Sequence, residues 1–298
     1  MSKKKRIGTG QYILTVIMGL YAIVCFAPMV LVVIVSFSSN NSIDTKGFSF
    51  FPTEWSLDAW RYVFDFGNQL VVSYGVTIYI TVVATATGLI IMSMFAYTLS
   101  RSCFMLKKHL SIMMLITMLF SGGALSSYMI KTTMYGMKDS LWAIALPAVA
   151  TMNVIIMRTY IQSNITESLI ESAKIDGAGE FRIFLQIVFP LMKPTLAAIG
   201  FRTAVGKWNE WQSALLFITS AKKTPLQLLL IRIEKNIDFV LNNAGELSPI
   251  EYAEMLENIP EEPGRMAILL TALGPIMIAY PYFQKYFVKG LTVGAVKG

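Results

Sequence analysis

Few residues of this 298-residue chain could do chemistry, and most of them sit in apolar surroundings. The chain has a single histidine, His109, so a helical HExxH zinc site, which needs two, cannot form. At the head of an apolar segment His109 reads as an interfacial residue. The run from Gly200 to Trp208, GFRTAVGKW, has the outline of a phosphate-binding loop. It is one residue too long, and Trp208 stands where a Ser or Thr hydroxyl must reach Mg²⁺. Gly177-Ala178-Gly179 does not complete a dinucleotide fingerprint, because position 182 is Arg. Cys25 and Cys103 fall at different depths of the chain's apolar layout, which argues against a disulfide and against metal ligation. No catalytic residue, no metal ligand set and no nucleotide site are expected. What remains is Lys207-Trp208-Asn209-Glu210-Trp211, a polar and aromatic run inside an apolar segment. Charges at such depth are expensive and normally face a bundle interior or a water-filled cavity. Lys207 and Glu210 are three apart, so on a helix they can pair with each other. Trp208 and Trp211 set indole faces beside polar groups, which suits the apolar faces and hydroxyls of a sugar ring. These five residues are the substrate-path candidates. Glu210 is also the strongest candidate for the coupling carboxylate that an ion-gradient-driven carrier would need, alongside inverted repeats.

The elements that must position these residues are membrane helices. Hydrophobic residues make up 55% of the chain and charged ones 14%, with mean hydropathy +0.57, far from soluble usage. No charge occurs from Ile7 to Ile43 or from Phe66 to Ser100, and apolar runs beyond about 18 residues read as spanning helices. Six spans are expected, at 12–37, 70–99, 109–130, 140–160, 191–218 and 265–286. Pro28, Pro147, Pro194, Pro275 and Pro281 lie inside them, as neighbouring helices can re-satisfy the freed backbone groups. Charges at Arg202, Lys207 and Glu210 interrupt the fifth. Lys3-Lys4-Lys5-Arg6 and the long apolar run after it predict a retained anchor rather than a cleaved signal. The same basic cluster puts the N-terminus in the cytoplasm, and six spans bring the C-terminus back there. The net charge of +7 then follows from membrane orientation, not from nucleic-acid binding.

Between the fourth and fifth expected spans lies a water-compatible stretch, ESAKIDGAGEFRIFLQIVFP, from Glu171 to Pro190. Thr166 can cap a helix with Glu167 in its first turn. Ala173, Asp176 and Gly177 share a helical face of small residues, and Gly177 and Gly179 permit a sharp turn. Phe181, Phe184, Leu185 and Val188 then form an apolar stripe. Taken alone this could be an amphipathic loop resting on the bilayer. The stretch closely resembles the "EAA" loop of the permease subunits of ABC importers: Glu-Ala-Ala, three residues, Gly, nine residues, Ile-x-Leu-Pro. It appears as Glu171-Ser172-Ala173, Gly177 and Ile187-Val188-Phe189-Pro190, departing at Ser172 and Phe189. The resemblance implies a coupling helix that sits in a groove of an ATPase and follows its opening and closure. Glu171, Ser172, Ala173, Asp176, Gly177, Ala178, Gly179 and Phe181 would be its docking residues, with Glu171 facing a basic residue of the groove.

Two further stretches resemble the carbohydrate branch of that family, of MalG-like and LplC type. The C-terminal VKGLTVGAVKG, with Gly290, Leu291, Thr292 and Lys297, is similar to a tail that reaches the ATPase dimer in maltose-type complexes. Similar permeases also carry a Trp-Asn-Glu-aromatic run, here at 208–211, followed by Thr224-Pro225-Leu226-Gln227. The resemblance implies an all-α integral membrane protein of the type I importer permease fold. Its parts would be a cytoplasmic basic segment, 1–11, and a six-span domain, 12–286, with coupling loop 161–190 and extracellular loop 219–264. A cytoplasmic tail, 287–298, completes it. It implies these partners: a second homologous permease, two ABC ATPases carrying the ATP and Mg²⁺, an extracellular substrate-binding lipoprotein, and a sugar or oligosaccharide. The site would be the plasma membrane, with its lipids, of a bacterium, Gram-positive by the branch. A non-sugar ABC permease shares the loop but not the tail. The gradient-driven carrier stays open beside it.

Overall fold

The computed structural model describes residues 9–146, 149–242 and 260–295, and among these it is helical with no β-strand, apart from an isolated bridge between Ser38 and Trp55. The chain divides into two compact units, residues 1–67 with 230–274, and 68–229 with 275–298.

In the first unit, α1 (Thr9–Ser36) is a continuous apolar helix through Pro28. None of its most apolar window is buried, whereas Val35 and Ser36 at its end are. Helix α2 (Asn40–Lys46) starts at Ser39, whose hydroxyl accepts from the Ser42 amide, the normal means of satisfying a helix's first N–H groups. The Ser42 hydroxyl accepts from the Thr53 amide at 2.9 Å. In α3 (Asp58–Phe64), Trp60 stacks on Phe37 and Phe64 at 5.5 and 5.9 Å.

The second unit is strung on α4 (Gly67–Ser100), an unbroken helix of 34 residues. Helix α5 (Lys107–Leu119) is followed by α6 (Gly123–Met129) and a π-helical turn to Met134, at an angle of 113°. Gly123 allows that bend, having φ +78°, which L side chains rarely adopt. Helices α7 (Trp142–Ala145) and α8 (Thr151–Asn164) flank residues 147 and 148, which lie outside the described part. Then come α9 (Glu167–Ile175), α10 (Glu180–Ile183), a π-helical turn over Phe184–Val188, and α11 (Phe189–Leu191). Helix α12 (Lys193–Trp208) leaves α11 at 78°. Pro194 stands in its first turn, where a missing N–H costs nothing. At Gly200 α12 comes so near α4 that a Cβ would sit 3.0 Å from Leu89 Cδ1. Helix α13 is Gln212–Phe217.

Helix α14 (Leu226–Asn242) lies within the expected extracellular loop 219–264, so that loop is partly helical. Glu246, Glu251, Glu254 and Glu257 fall outside the described residues. Helix α15 (Glu261–Ala295) begins in the first unit, where Arg265 pairs with Asp238 of α14 at 2.7 Å.

The expected spans at 12–37, 70–99 and 265–286 match long continuous helices. The middle three differ. Three helices are long and apolar enough to cross a membrane singly, and five if each bent pair counts as one crossing. The reading of 109–130 as one straight helix fails at Gly122-Gly123. In 140–160 the helix is confined to α7 and α8. The fifth expected span is interrupted between Trp208 and Gln212.

Two apolar clusters hold the second unit together. The large one joins Met92 to Leu99 of α4, Val154 to Ile161 of α8, Ile170 and Ala173 of α9, Ile183 and Phe184, and Leu196 and Ile199 of α12. The small one joins Ile80 of α4, Ile144, Ala214, Ile218 and Leu228. Ile80 and Met92 are separated by about 18 Å of helix at 1.5 Å per residue, so the clusters lie along different halves of α4.

Candidate functional site

The loop 161–190 is built by a helix that stops sharply. At its end the Gly177 amide donates to the Lys174 carbonyl at 3.0 Å and the Ala178 amide to the Ala173 carbonyl at 2.9 Å. With Gly177 at φ +79°, this is the Schellman arrangement, which satisfies the last carbonyls of α9 and needs a left-handed residue after the cap. The glycine of the family pattern is therefore the residue that ends the helix. Asp176, the cap, is exposed along with Glu171, Ser172, Gly177 and Gly179. Ala178 is half-buried. Ala173 turns inward into the large cluster and is not offered to the surroundings. Of the apolar stripe, Phe184 and Val188 are buried, whereas Phe181 is 64% exposed and Leu185 half-exposed. Ile175, in the last turn of α9, is 87% exposed, and the sequence pattern did not single it out.

Two carboxylates tie the loop to the end of α4. Glu180, the first residue of α10, accepts the Tyr97 phenol and pairs with Lys174 at 2.6 Å. Glu167, the first residue of α9, accepts from the Ser102 hydroxyl at 2.8 Å and lies 3.9 Å from Arg101. Each also sits where a helix N-terminus favours negative charge. Tyr97 stacks at a tilt on Phe184, 5.6 Å between centroids. The contacts to Tyr97, Arg101 and Ser102 bridge more than sixty residues of sequence, and no local pattern could have announced them.

At the other end of α4, the KWNEW run straddles the interruption between α12 and α13. Lys207 and Trp208 close α12, Asn209 is its C-cap, and Glu210 and Trp211 precede α13. The expected Lys207–Glu210 pair is absent from the ion pairs of the described residues. Once the helix stops at Trp208, the three-residue spacing no longer sets the two charges in ion-pair contact. Glu210 instead accepts from the Ser213 amide at 3.1 Å, capping α13. Lys207 donates to the Ile144 carbonyl at 2.9 Å. Trp208 is buried beside Tyr74, 6.3 Å away. It lines an almost wholly apolar cavity of about 230 Å³ with Val82, Phe201, Val205, Pro275 and Ala279. Trp211 is half-buried, and Asn209 accepts from Gln227 at 3.3 Å.

A latch closes the same end. Asp139 accepts from the Thr219 and Ser220 amides at 3.0 and 2.9 Å and pairs with Lys223 at 2.9 Å. Asp139 holds φ +52°, a conformation that Asp and Asn tolerate better than most residues. The Ser220 amide, the Lys223 ammonium and the Thr219 amide keep its carboxyl well below the usual carboxylate range. Of the tail residues, Gly290, Leu291 and Thr292 continue α15, and Lys297 lies outside the described residues.

Comparison with known proteins agrees with this architecture. Residues 74–293 match the family model described as "Binding-protein-dependent transport system inner membrane component". The Bacillus subtilis polygalacturonan/rhamnogalacturonan transport system permease protein YtcP is 36% identical over 94% of this chain and 95% of its own. Protein LplC of the same bacterium is 36% identical over 91% and 89%. A crystal structure of a bacterial ABC transporter involved in the import of the acidic polysaccharide alginate contains a similar chain. It shares 28% identity and a TM-score of 0.76, over 96% of this chain and 99% of that one. With a match to the family model running through most of its length, this chain belongs to the family of inner-membrane components of binding-protein-dependent transport systems.

Proposed function

We propose that this chain is one of two different permease subunits of an ATP-driven importer of oligosaccharides, and that it is itself non-catalytic. The observation that carries the reading is the loop 161–190, whose turn is fixed by Gly177 and whose base is tied to α4 by Glu167 and Glu180. Such a loop delivers a displacement at its tip to the membrane helices without bending. Ile175 and Phe181 stand exposed beside the turn as apolar anchors for an ATPase groove, the kind of side chain that dominates protein interfaces. The energy source is ATP with Mg²⁺ on two partner ATPases. A second permease completes the pore, and a lipoprotein delivers cargo to the outer face. The carbohydrate cargo is carried over from relatives named for polygalacturonan and rhamnogalacturonan and for melibiose, raffinose and stachyose. The Bacillus relatives fit a Gram-positive plasma membrane, and the basic cluster from Lys3 to Arg6 favours a cytoplasmic N-terminus.

The test is purification of the chain from its native membrane in mild detergent, followed by reconstitution of what copurifies. The expected result is a second permease, an ATPase and a binding lipoprotein, and ATP-dependent uptake of an oligosaccharide by the reconstituted set. A chain that comes away alone and still transports along an ion gradient overturns the reading.

A further inference from the structure

Two lysines of the second unit end on adjacent carbonyls of one short helix. Lys131 Nζ donates to the Ala143 carbonyl and Lys207 Nζ to the Ile144 carbonyl, each at 2.9 Å. Local chemistry explains why those carbonyls are available. Both belong to the last turn of α7, where helix carbonyls lack intrahelical partners. The amide that would serve Ala143 four residues on is position 147, a proline without N–H.

Donating one hydrogen bond to a carbonyl does not neutralise an ammonium. Each has three donors, of which this contact uses one. Of the nearby carboxylates, Glu210 acts on Lys207 only from beyond ion-pair distance while it caps α13, and Asp139 is held by Lys223 and two amides. No ion pair among the described residues includes Lys131 or Lys207. Lys131 also lies 5.1 Å from the centroid of the Phe217 ring, which attracts a cation but leaves its charge in place. Two like charges bonded to consecutive carbonyls within a membrane domain are costly, and an anion bridging them removes that cost. Both side chains are half-buried rather than sealed, and Trp142, 52% exposed, opens the same helix. Indole beside paired ammonium groups suits a sugar ring that carries a carboxylate.

We propose that Lys131 and Lys207 together bind the carboxylates of an acidic oligosaccharide, one containing uronate residues, as it passes through the permease. This rests on the reading of the chain as an oligosaccharide permease. The experiment uses the whole reconstituted importer and two families of trimers, hexuronates such as trigalacturonate with their methyl esters, and the neutral hexose counterparts. The unmodified importer is expected to take up a hexuronate trimer at least ten-fold faster than its methyl ester. Lys131→Gln and Lys207→Gln should each raise the KM for the acid about ten-fold or more and leave the ester unaffected, while Lys207→Arg stays within a few-fold of the original. Equal uptake of acid and ester, or uptake of neutral trimers alone, overturns this proposal while leaving the importer standing. So does an unchanged KM in both Gln variants. Failure to take up any saccharide at all, with ATP hydrolysis intact, overturns the underlying reading instead.

Discussion

The two ends of α4 are held together by different physics. At the loop end, segments of α4, α8, α9, α10 and α12 share one apolar cluster, and the two carboxylate ties lie on top of it. At the other end the apolar cluster is small, and the work is done by Lys131, Lys207, Asp139 and Lys223 reaching backbone carbonyls and amides. Apolar burial is worth about 25 cal/mol per Å² and is non-directional, so a large cluster moves as a body. A hydrogen bond that water can replace nets only about 0.5–1.5 kcal/mol, so partners can be exchanged one at a time. Under the proposed function the first would serve as a stiff lever where an ATPase pushes, and the second as an exchangeable lining for cargo.

The contrast can be broken most forcefully at Phe184, 3% exposed in the large cluster. Phe184→Ala should cost about 3–5 kcal/mol, seen as a large fall in the unfolding temperature in detergent together with loss of uptake. If it is tolerated, the loop end is not one packed body. Next is Gly177→Val. Left-handed backbone costs a residue with a Cβ about 1–2 kcal/mol, and at φ +79° that strain falls on the turn alone. Membrane insertion should survive while uptake drops at least ten-fold with ATP hydrolysis continuing. Normal uptake would remove the loop from the coupling path. Tyr97→Phe deletes one donor to Glu180 and should cost about 1 kcal/mol, lowering the ratio of cargo moved to ATP spent more than it lowers stability. An unchanged ratio would mean the tie to α4 carries no force.

The smallest effect is at the latch. The Asp139 pKa is depressed in the folded state, so its stabilisation is complete above the ordinary carboxylate value near 4. It is lost as pH falls through the folded value. Unfolding temperatures measured from pH 8 to 3 should show a loss below about pH 4 that Asp139→Asn lacks. Asp139→Asn should also outlast Asp139→Ala, since Asn tolerates φ +52°. A latch that weakens between pH 5 and 7 would contradict the geometry.

The spans at either end of the chain and the second one were legible because charge-free apolar runs admit little else. The middle three were not, though their breakers were in plain view. The sequence lets Pro194 stand inside a span and gives Gly122-Gly123 no special weight, whereas at Gly123 and Met192 the chain turns through large angles. The helix interruption after Trp208 also undid the Lys207–Glu210 pair, since i,i+3 spacing has meaning only while the helix continues. Gly177 was legible because a glycine after a capped amphipathic helix is a stop signal. Ile175 was missed because the family pattern marks small residues, and Ala173, which fits it, packs inward. Lys131 lies just past the expected third span, and nothing beside it in the sequence marks it. What brings it to Lys207 is a proline-starved carbonyl in a third segment, and only the fold joins those three.

The bareness of α1 bears on how the protein is made. Over most of its 28 residues the apolar side chains of α1 are uncovered within its unit, so there it owes its stability to lipid and to its own backbone hydrogen bonds. It can be inserted before the rest of the chain has folded, consistent with membrane helices being individually stable units that assemble later. Biogenesis can therefore begin here, with the bent and charge-bearing middle segments left to find their places against α4 afterwards.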